Sequence, residues 1–311
     1  MSQLTGYLAA KDFIAELRQE IALYPDLVIQ RELNDLIVVS GPIKDLCWSQ
    51  NTWIDIQSRA FQSITEAAKI LKAHSKFWAQ YGVAHFRRGE LIQNSLPKWK
   101  ITARSFLGEL PKYPLSSFCL EDSNTLWFSA CCSSPFPNGQ IQFIEDKTNP
   151  PSRAYLKLWE IFTLSKKAPK AGEICVDLGS SPGGWTWVLA NCGAIVTSVD
   201  KAELAPQVLK MKNVHAMKKD AFSIRPGDLS ALGIRAEKID WLCSDIICYP
   251  AKLYELILSW IESGRVKNFV ITIKFQGETD FATLAKFRAI SGSRLQHLCH
   301  NKHEVTWSYF T

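Results

Sequence analysis

The stretch DLGSSPGGWT, residues 177–186, joins two apolar runs and carries three glycines. The run before it, residues 174–176, predicts a buried strand, and the run after it, residues 187–190, predicts a helix. Glycines let a backbone approach a ligand closely, and the first amides of a helix point toward bound polar groups. The stretch therefore predicts a ligand-binding turn between a strand and a helix.

The spacing of the glycines separates two kinds of ligand. A dinucleotide fingerprint is G-x-G-x-x-G, whereas Gly179 is followed here by Gly183 and Gly184, and Pro182 removes an amide that a pyrophosphate would use. Asp200 ends the next apolar run, where a carboxylate accepts hydrogen bonds from the hydroxyls of an adenosine ribose. The pattern favours S-adenosylmethionine. The cofactor-binding residues predicted in the turn are Gly179, Ser181, Pro182, Gly183, Gly184 and Trp185.

Composition indicates a globular protein. The chain has 311 residues, of which 47% are hydrophobic and 21% charged, enough for two domains with cores. No window approaches the roughly 20 apolar residues of a membrane span, so we expect a cytoplasmic protein without membrane contact. The net charge of +6 is compatible with a polyanionic partner. The nine cysteines form no C-x-x-C pair, which predicts reduced core residues.

The stretch DKTNPPSR, residues 146–153, divides the chain into two regions with different patterns. Residues 1–149 open as strand, helix, strand, strand, which predicts a small α+β domain. A second helix begins at Ser63 with Glu66 as its capping box, and strands are expected near KWKITA, LWFSACC and GQIQFIE. Residues 150–311 alternate strands with helices, which predicts an α/β domain with a mainly parallel sheet.

Five segments follow one another along residues 150–311: PSRAYLKLWE, DLGSSPGGWT, WLCSDI, FVITIKF and HEVTWSYF. In this order they resemble the motifs of the FtsJ-type ribose 2'-O-methyltransferases. The resemblance implies a Rossmann-like fold, S-adenosylmethionine as cofactor, and transfer of its methyl group to a ribose 2'-hydroxyl of RNA. It also implies a catalytic tetrad, which here is Lys157, Asp245, Lys274 and Glu304.

Further matches resemble one branch of that family, the large-subunit ribosomal RNA methyltransferase M (RlmM) proteins. They are PSR before Lys157, VDLG with PGGWT at residues 176–186, SVD at residues 198–200, P-A-K at residues 250–252, and H-x-x-x-E-V-T at residues 300–306. This resemblance implies ribosomal RNA as substrate and a ferredoxin-like and THUMP-like RNA-recognition region over residues 1–149. It also implies that Asp220 accepts the adenine amino group. From the chemistry of the transfer we expect Asp245 to lie near the transferred methyl. For Asp220, an ordinary surface aspartate is the alternative.

The chemistry of methyl transfer suggests a role for each member of the tetrad. An in-line displacement at a sulfonium methyl requires three aligned atoms and help for a weakly acidic hydroxyl in losing its proton. We expect Lys274 to meet the 2'-hydroxyl, either as a base or as a cation that stabilises the alkoxide, with Asp245 orienting it. Lys157 and Glu304 are expected to hold the nucleotide and to complete the charge network.

Two alternatives stay open. A non-catalytic RNA-binding protein would keep the fold, although the tetrad and the cofactor turn are intact. Methylation of a base would call for an N-P-P-Y-type or cysteine motif after the fourth strand of the domain, and SDIICYP offers only Cys248.

Basic residues suggest where RNA binds. The first candidate interleaves cations with aromatic rings: Phe86, Arg87, Arg88, Lys98, Trp99, Lys100 and Arg104. The second is the basic run from Lys201 to Arg225, which equally fits a solvated surface. His297, His300 and His303 recur at a spacing that places them on alternate faces of a strand, so we expect no metal site.

Overall fold

The computed structural model describes residues 3–100, 102–112, 115–227 and 229–311. The strands are β1 (Leu4–Ala9), β2 (Val28–Leu33), β3 (Leu36–Ser40), β4 (Ser49–Ile54), β5 (Gln57–Ala60), β6 (Trp78–Gln80), β7 (Ser116–Leu120), β8 (Thr125–Ser129), β9 (Cys131–Cys132), β10 (Ile174–Leu178), β11 (Ile195–Asp200), β12 (Val214–Lys218), β13 (Ile239–Ser244), β14 (Val266–Lys274), β15 (Ser293–Gln296) and β16 (Glu304–Tyr309). The helices are α1 (Ile14–Ala22), α2 (Ile64–His74), α3 (Phe86–Asn94), α4 (Tyr155–Ser165), α5 (Gly184–Asn191), α6 (Pro206–Leu209), α7 (Pro250–Glu262) and α8 (Phe281–Arg288).

The chain forms two compact units, residues 1–143 and 144–311. The division precedes the expected boundary after residue 149 because the intervening segment is tied to the second unit. Arg153 pairs with Glu145 at 2.9 Å, and the Tyr155 hydroxyl donates a hydrogen bond to the main-chain oxygen of Asp146 at 3.0 Å. The prolines that break the pattern therefore lie inside the second unit.

The first sheet of the first unit has the strand order β2-β3-β1-β4-β9. β1 is antiparallel to β3 and β4, and β2 is antiparallel to β3, so β3 lies between two parallel strands joined by α1. This is a split β-α-β unit, and it contains the expected order of strand, helix, strand and strand. The residues of β3 from Leu36 to Val39 are fully buried.

The second sheet of the first unit has the order β5-β8-β7-β6 and packs against α2 and α3. The expected helix start is confirmed, since Ser63 Oγ accepts the amide of Glu66 at 3.1 Å. The side chain of Glu66 in turn accepts a hydrogen bond of 2.8 Å from the amide of Gln62, one residue before the N-cap. The core of this layer includes Phe61, Leu71, Trp78, Phe118 and Phe128.

Two expected strands do not form in the described residues. KWKITA contains no strand there, and its Ile101 lies outside the described residues. GQIQFIE contributes only an isolated bridge between Arg104 and Phe143. Prolines flank both segments, at positions 97, 111, 135 and 137. Since proline cannot donate a ladder hydrogen bond, these segments do not extend into a sheet.

The second unit confirms the expected α/β architecture. Its seven-stranded sheet has the order β12-β11-β10-β13-β14-β16-β15. Neighbours from β12 to β14 are parallel, whereas β16 is antiparallel to both β14 and β15. The strand order reverses between β10 and β13, which opens a crevice at their carboxyl ends. A Rossmann-like sheet binds its ligands at that point.

The cysteines are all free in the structure. Five are buried as expected, namely Cys47, Cys119, Cys175, Cys243 and Cys248. Cys131 is exposed because β9 is the last strand of its sheet, so a core role for this residue is wrong. None of the helices described here combines the length and the apolar character that crossing a bilayer requires.

Candidate functional site

The four predicted catalytic residues come from four different elements and lie together at one end of the second sheet. Lys157 is on α4, Asp245 directly follows β13, Lys274 ends β14, and Glu304 begins β16. Lys274 and Glu304 are opposite each other in the antiparallel pair of β14 and β16. The reversed direction of β16 therefore brings the start of one strand to the end of the other.

Asp245 and Lys157 are the centres of an ionic network. Lys157 Nζ lies 2.6 Å from Asp245 Oδ1 and 3.0 Å from Glu304 Oε1. Lys274 Nζ lies 3.1 Å from the same Asp245 oxygen and donates a hydrogen bond of 2.6 Å to its main-chain carbonyl. Two cations and two carboxylates thus compensate each other within direct contact.

Burial divides the network into an inner and an outer layer. Lys157 is 5% exposed and Glu304 is 7% exposed. The ammonium of Lys157 also lies 5.8 Å from the centre of the Trp185 ring. An uncompensated charge at such depth is strongly destabilising. Removing either Lys157 or Glu304 should therefore leave the other as a buried charge with less compensation and lower the stability of the fold. Asp245 and Lys274 are more accessible and face a neighbouring cavity.

That cavity lies at the crevice between β10 and β13 and has a volume of about 290 Å³. The predicted residues that line it are Gly179, Ser181, Pro182, Gly184, Trp185, Asp200, Asp245 and Lys274. The lining residues that the sequence did not predict are Ser152, Ala154, Asp177, Ser180, Ile246 and Ile247. Gly183, Asp220, Lys157 and Glu304 are not among its lining residues.

The glycines of the turn serve two different purposes. Gly179 has a φ of +73°, and a Cβ there would lie 2.7 Å from Cβ of Ile246 across the crevice. Gly183 has a φ of +108°, and its Cβ would meet Val208 and Leu204 instead. Gly179 thus lets the turn approach the segment after β13, whereas Gly183 acts through packing behind the turn.

Among the described residues, two buried polar atoms on the cavity lining have no hydrogen-bond partner: Oδ1 of Asp177 and Oγ of Ser152. The other oxygen of Asp177 accepts a hydrogen bond of 2.6 Å from Thr186 Oγ1. Burial raises the pKa of Asp177 to about 7. Buried polar groups are normally paired, so both atoms are available to a ligand. Asp177 begins the quoted stretch, but only tertiary structure reveals its unpaired oxygen.

The carboxylate of Asp200 is held by the backbone around it. It accepts the amide of Ser181 at 3.0 Å and the amide of Ala202 at 2.8 Å. A carboxylate has about four acceptor positions, so two remain for ligand hydroxyls. This oriented carboxylate lies at the end of β11, beside the glycine turn.

Asp220 lies after β12 and is engaged with protein groups. Its carboxylate pairs with Lys201 at 2.8 Å and accepts the amide of Phe222 at 2.9 Å. The hydrogen bond from Lys201 is the main cause of a lowered pKa for Asp220. The adenine contact predicted for Asp220 stays a prediction.

The remaining histidine and cysteine side chains have ordinary surroundings. His297 is buried, which lowers its pKa to about 4, and its Nε2 lies 3.0 Å from the main-chain oxygen of Lys302. Across the described parts of the chain, no group of three or more potential ligands is arranged to hold a metal ion. Burial raises the pKa of the Cys248 thiol to about 11, and this residue does not line the cavity.

The two basic candidates differ in their surroundings. In the run from Lys201 to Arg225, Lys201 pairs with Asp220 and Lys218 lies 3.7 Å from Glu203. In the first unit, Arg88 lies over the Phe61 ring at 5.2 Å. Trp99, Lys100 and Arg104 instead line one cavity of that unit.

Comparison with known proteins connects this geometry to a family. The model of the FtsJ-like methyltransferase family matches residues 150–284. Ribosomal RNA large subunit methyltransferase M of Aromatoleum aromaticum is 30% identical over 206 residues, 60% of this chain and 53% of that protein. The protein of that name from Azoarcus sp. is 30% identical over 220 residues, 65% of this chain and 57% of its own. That from Idiomarina loihiensis is 25% identical over 314 residues, 90% and 79% of the two chains.

The chain thus spans little more than half the length of the first two relatives. The matched segment includes Lys157, the glycine turn, Asp245 and Lys274, and it ends before Glu304. The strand order of the second unit and the crevice at its topological switch point agree with this match. Residues 150–284 therefore form an FtsJ-like methyltransferase domain.

Proposed function

We propose that this protein transfers a methyl group from S-adenosylmethionine to a ribose 2'-hydroxyl of RNA, with large-subunit ribosomal RNA as the substrate. The observation that carries the proposal is the network of Lys157, Asp245, Lys274 and Glu304 beside a cavity at the switch point of the sheet. The family match over residues 150–284 and the names of the relatives support the same reaction and substrate.

The residues of the cavity fit the proposed cofactor. The unpaired Oδ1 of Asp177 suits the ammonium of an amino-acid tail, and the unpaired Oγ of Ser152 suits its carboxylate as a donor. The two free acceptor positions of Asp200 suit the hydroxyls of a ribose. When bound, S-adenosylmethionine supplies an electrophilic methyl group on a sulfonium. We assign Asp245 to the region of that methyl, since it lines the cavity and contacts both lysines.

Lys274 is the member of the tetrad best suited to meet the substrate hydroxyl. It lines the cavity, whereas Lys157 is buried between two carboxylates. Its hydrogen bond to the main-chain oxygen of Asp245 fixes the direction of the ammonium. Positioning of the nucleophile and stabilisation of its developing charge are the two contributions that such a group makes.

Lys157 and Glu304 support that arrangement from behind. Neither lines the cavity, and both contact the network through short ionic bonds. Their burial favours a role in fixing the carboxylate of Asp245 over direct contact with the nucleotide.

The two alternatives receive less support. A protein retained only for RNA binding has no need of a complete and mutually compensated tetrad next to a ligand cavity. Base methylation through Cys248 requires a thiolate facing the substrate, but burial raises the pKa of this thiol to about 11.

We further propose that residues 1–149 recognise RNA as a ferredoxin-like and THUMP-like region. The split β-α-β arrangement of β1 to β3, with β4 on the far side of β1, supports the ferredoxin-like assignment. The cavity lined by Trp99, Lys100 and Arg104 supports RNA contact in the same unit.

Substitution of Lys274 tests the proposed function. Methyl-labelled S-adenosylmethionine and total RNA from a strain lacking the gene are incubated with the protein, and labelled ribose 2'-O positions are mapped. We expect one labelled site in large-subunit ribosomal RNA. Lys274→Ala should lower the rate by roughly 10²- to 10⁴-fold with cofactor affinity nearly unchanged by calorimetry.

Lys267→Ala is the matched control because Lys267 is on the same strand and pairs with Asp240 on the protein surface. It should retain full activity. Label on a base, or a Lys274→Ala protein that remains active, would contradict the proposed reaction. Loss of cofactor affinity in Lys274→Ala would contradict the role assigned to this lysine.

A further inference from the structure

The first unit contains a cavity of about 180 Å³ whose walls combine aromatic rings with cations. Phe77, Trp99 and Phe136 supply the rings, and Lys100, Arg104 and Lys112 supply the positive charge. We propose that this cavity binds one unstacked nucleotide of a single-stranded RNA segment, with its base against the rings and its phosphates on the cations. The proposal rests on the proposed function, because it gives that enzyme a defined contact with its RNA.

The aromatic part of the cavity is preorganised for a flat, apolar group. Trp99 Nε1 donates a hydrogen bond of 2.7 Å to the main-chain oxygen of Trp78, which fixes the plane of the indole. Phe136 is 4% exposed and is held by the surrounding core, so the surface for stacking comes from the half-buried rings of Phe77 and Trp99. Three prolines and a leucine complete the described lining. Rigid rings bind a base at low entropic cost, since they have little freedom to lose.

The cationic part of the cavity has no partner within the described residues. Nε of Arg104 is buried and makes no hydrogen bond. Lys100 and Lys112 are exposed, and no aspartate or glutamate is among the described residues that line the cavity. A buried donor without an acceptor is costly, and a phosphate oxygen is a strong acceptor for guanidinium and ammonium groups.

The combination of aromatic rings and cations in one cavity favours a nucleotide over other anions. An acidic peptide or a sulfated polysaccharide would satisfy the cations but would offer no flat group to stack on Trp99. A paired RNA helix keeps its bases stacked inside, so only a single-stranded segment can offer one to a concave site. The opening therefore fits a loop, bulge or end of the RNA.

Three pairs of variants test this site in the full-length protein. Lys100→Gln combined with Lys112→Gln removes charge, and Lys69→Gln combined with Lys72→Gln removes the same charge from the exposed face of α2. Trp99→Leu removes the ring, and Trp99→Phe retains one. Arg104→Lys keeps the positive charge but loses the planar guanidinium donors, whereas Arg104→Gln loses both. Binding is measured by fluorescence anisotropy with a labelled single-stranded uridine dodecamer at several salt concentrations, after circular dichroism has verified folding.

We expect the Lys100 and Lys112 double variant to bind the dodecamer about tenfold more weakly. The slope of log affinity against log salt concentration should be shallower by about 1.4, or about 0.7 for each lost phosphate contact. Trp99→Leu should weaken binding by about 5- to 150-fold, as expected for one lost base stack. Trp99→Phe and the α2 control should remain close to the unmodified protein.

Other outcomes overturn the proposal in distinct ways. Loss of binding on charge removal, with Trp99→Leu unaffected, would mean a general polyanion surface and no nucleotide pocket. Unchanged binding in all variants would place the RNA contact elsewhere. Cofactor binding and methyl transfer are measured in parallel. Variants of the cavity that keep both normal methyl transfer and normal RNA binding would refute only the nucleotide cavity. RNA binding that depends on the cavity, in a protein that transfers no methyl group, would refute only the proposed function.

Discussion

Asp177 links the pH of the solution to the cofactor site. Burial raises its pKa to about 7, and one of its oxygens is unpaired on the cavity lining. Above that pKa the group is a carboxylate and attracts an ammonium, whereas below it the neutral acid does not. Cofactor affinity should therefore rise with pH and be about tenfold weaker one unit below the pKa. Calorimetry between pH 6 and pH 8 measures this dependence.

Two variants distinguish Asp177 from a general pH effect. Asp177→Asn should bind more weakly and lose the pH dependence. Asp240→Asn should retain it, because Asp240 pairs with Lys267 and its pKa lies below the ordinary value. An Asp177→Asn protein with the full pH dependence would assign the effect to another group.

Substitution of Gly179 tests whether the close approach of the glycine turn to the segment after β13 shapes the cavity. Gly179→Ala combines an unfavourable φ with a Cβ 2.7 Å from Cβ of Ile246. Gly233 has a φ of +70° and open space around it, so Gly233→Ala carries the backbone cost alone, about 1–2 kcal/mol. We expect only Gly179→Ala to lose cofactor affinity, by at least tenfold. Equal affinities in the two variants would refute the steric role.

The residue scale also marks the limit of prediction from sequence. Lys157 and Asp245 are 88 positions apart, yet the resemblance to the FtsJ-type family implied that they act together, and they lie 2.6 Å apart. By contrast, Ser152 lies in the PSR match before Lys157, but nothing in that match marks its hydroxyl as a ligand group. Its unpaired hydroxyl results from the way the residues before α4 pack under Gly184, whose Cβ would lie 2.5 Å from Oγ of Ser152.

At the scale of elements, Glu160 joins α4 to the turn that precedes β16. Its buried carboxylate accepts the amide of Cys299 at 3.1 Å and 3.0 Å, and burial raises its pKa to about 7. The carboxyl group of Glu160 therefore binds its proton more tightly in the folded protein than in the unfolded chain, where its pKa has the ordinary value of 4.5. The stability that Glu160 contributes is complete below pH 4.5 and is lost as the pH rises through about 7.

Glu160→Gln should remove this dependence because glutamine keeps an acceptor oxygen and does not titrate. The free energy of unfolding, measured by denaturant titration, should fall between pH 5 and pH 8 by on the order of 3 kcal/mol more in the unmodified protein than in the variant. Parallel curves for the two proteins would show that the carboxylate ionises at its ordinary pKa. Glu66→Gln is the control, since Glu66 is exposed at the start of α2.

Elements were predictable where the hydrophobic pattern was long and regular. In the second unit, apolar strands buried on both faces alternate with helices, so the fold class followed from the sequence. The segments between β6 and β7 have no such long pattern. Their conformation depends on isolated contacts such as the bridge between Arg104 and Phe143. The cations of the proposed nucleotide cavity lie in those segments, whereas Phe77 and Phe136 lie outside them. The sequence therefore indicated the cations but not their convergence with these two rings.

At the scale of the whole molecule, charge should affect the two ligands differently. The protein has a net charge of +6, and three cations face the proposed nucleotide cavity. Each phosphate contact to single-stranded RNA contributes a slope of about −0.7 in log affinity against log salt, so three contacts predict a slope of about −2 or steeper. The cavity proposed for the cofactor is instead lined by Asp177, Asp200, Asp245 and Lys274, so we expect short contacts to dominate cofactor binding. Such contacts are weakly screened, so cofactor affinity should change less than about twofold between 50 and 500 mM salt.

Anisotropy and calorimetry on the same preparation, across one salt series, measure both slopes. Equal slopes would mean that cofactor binding is also dominated by long-range charge, which is incompatible with the contacts assigned to the switch-point cavity. A flat RNA slope would mean that stacking alone holds the RNA, which would remove Lys100, Arg104 and Lys112 from the contact. Different slopes are expected if Lys100, Arg104 and Lys112 of the proposed nucleotide cavity bind RNA phosphates, while short contacts in the switch-point cavity hold the cofactor.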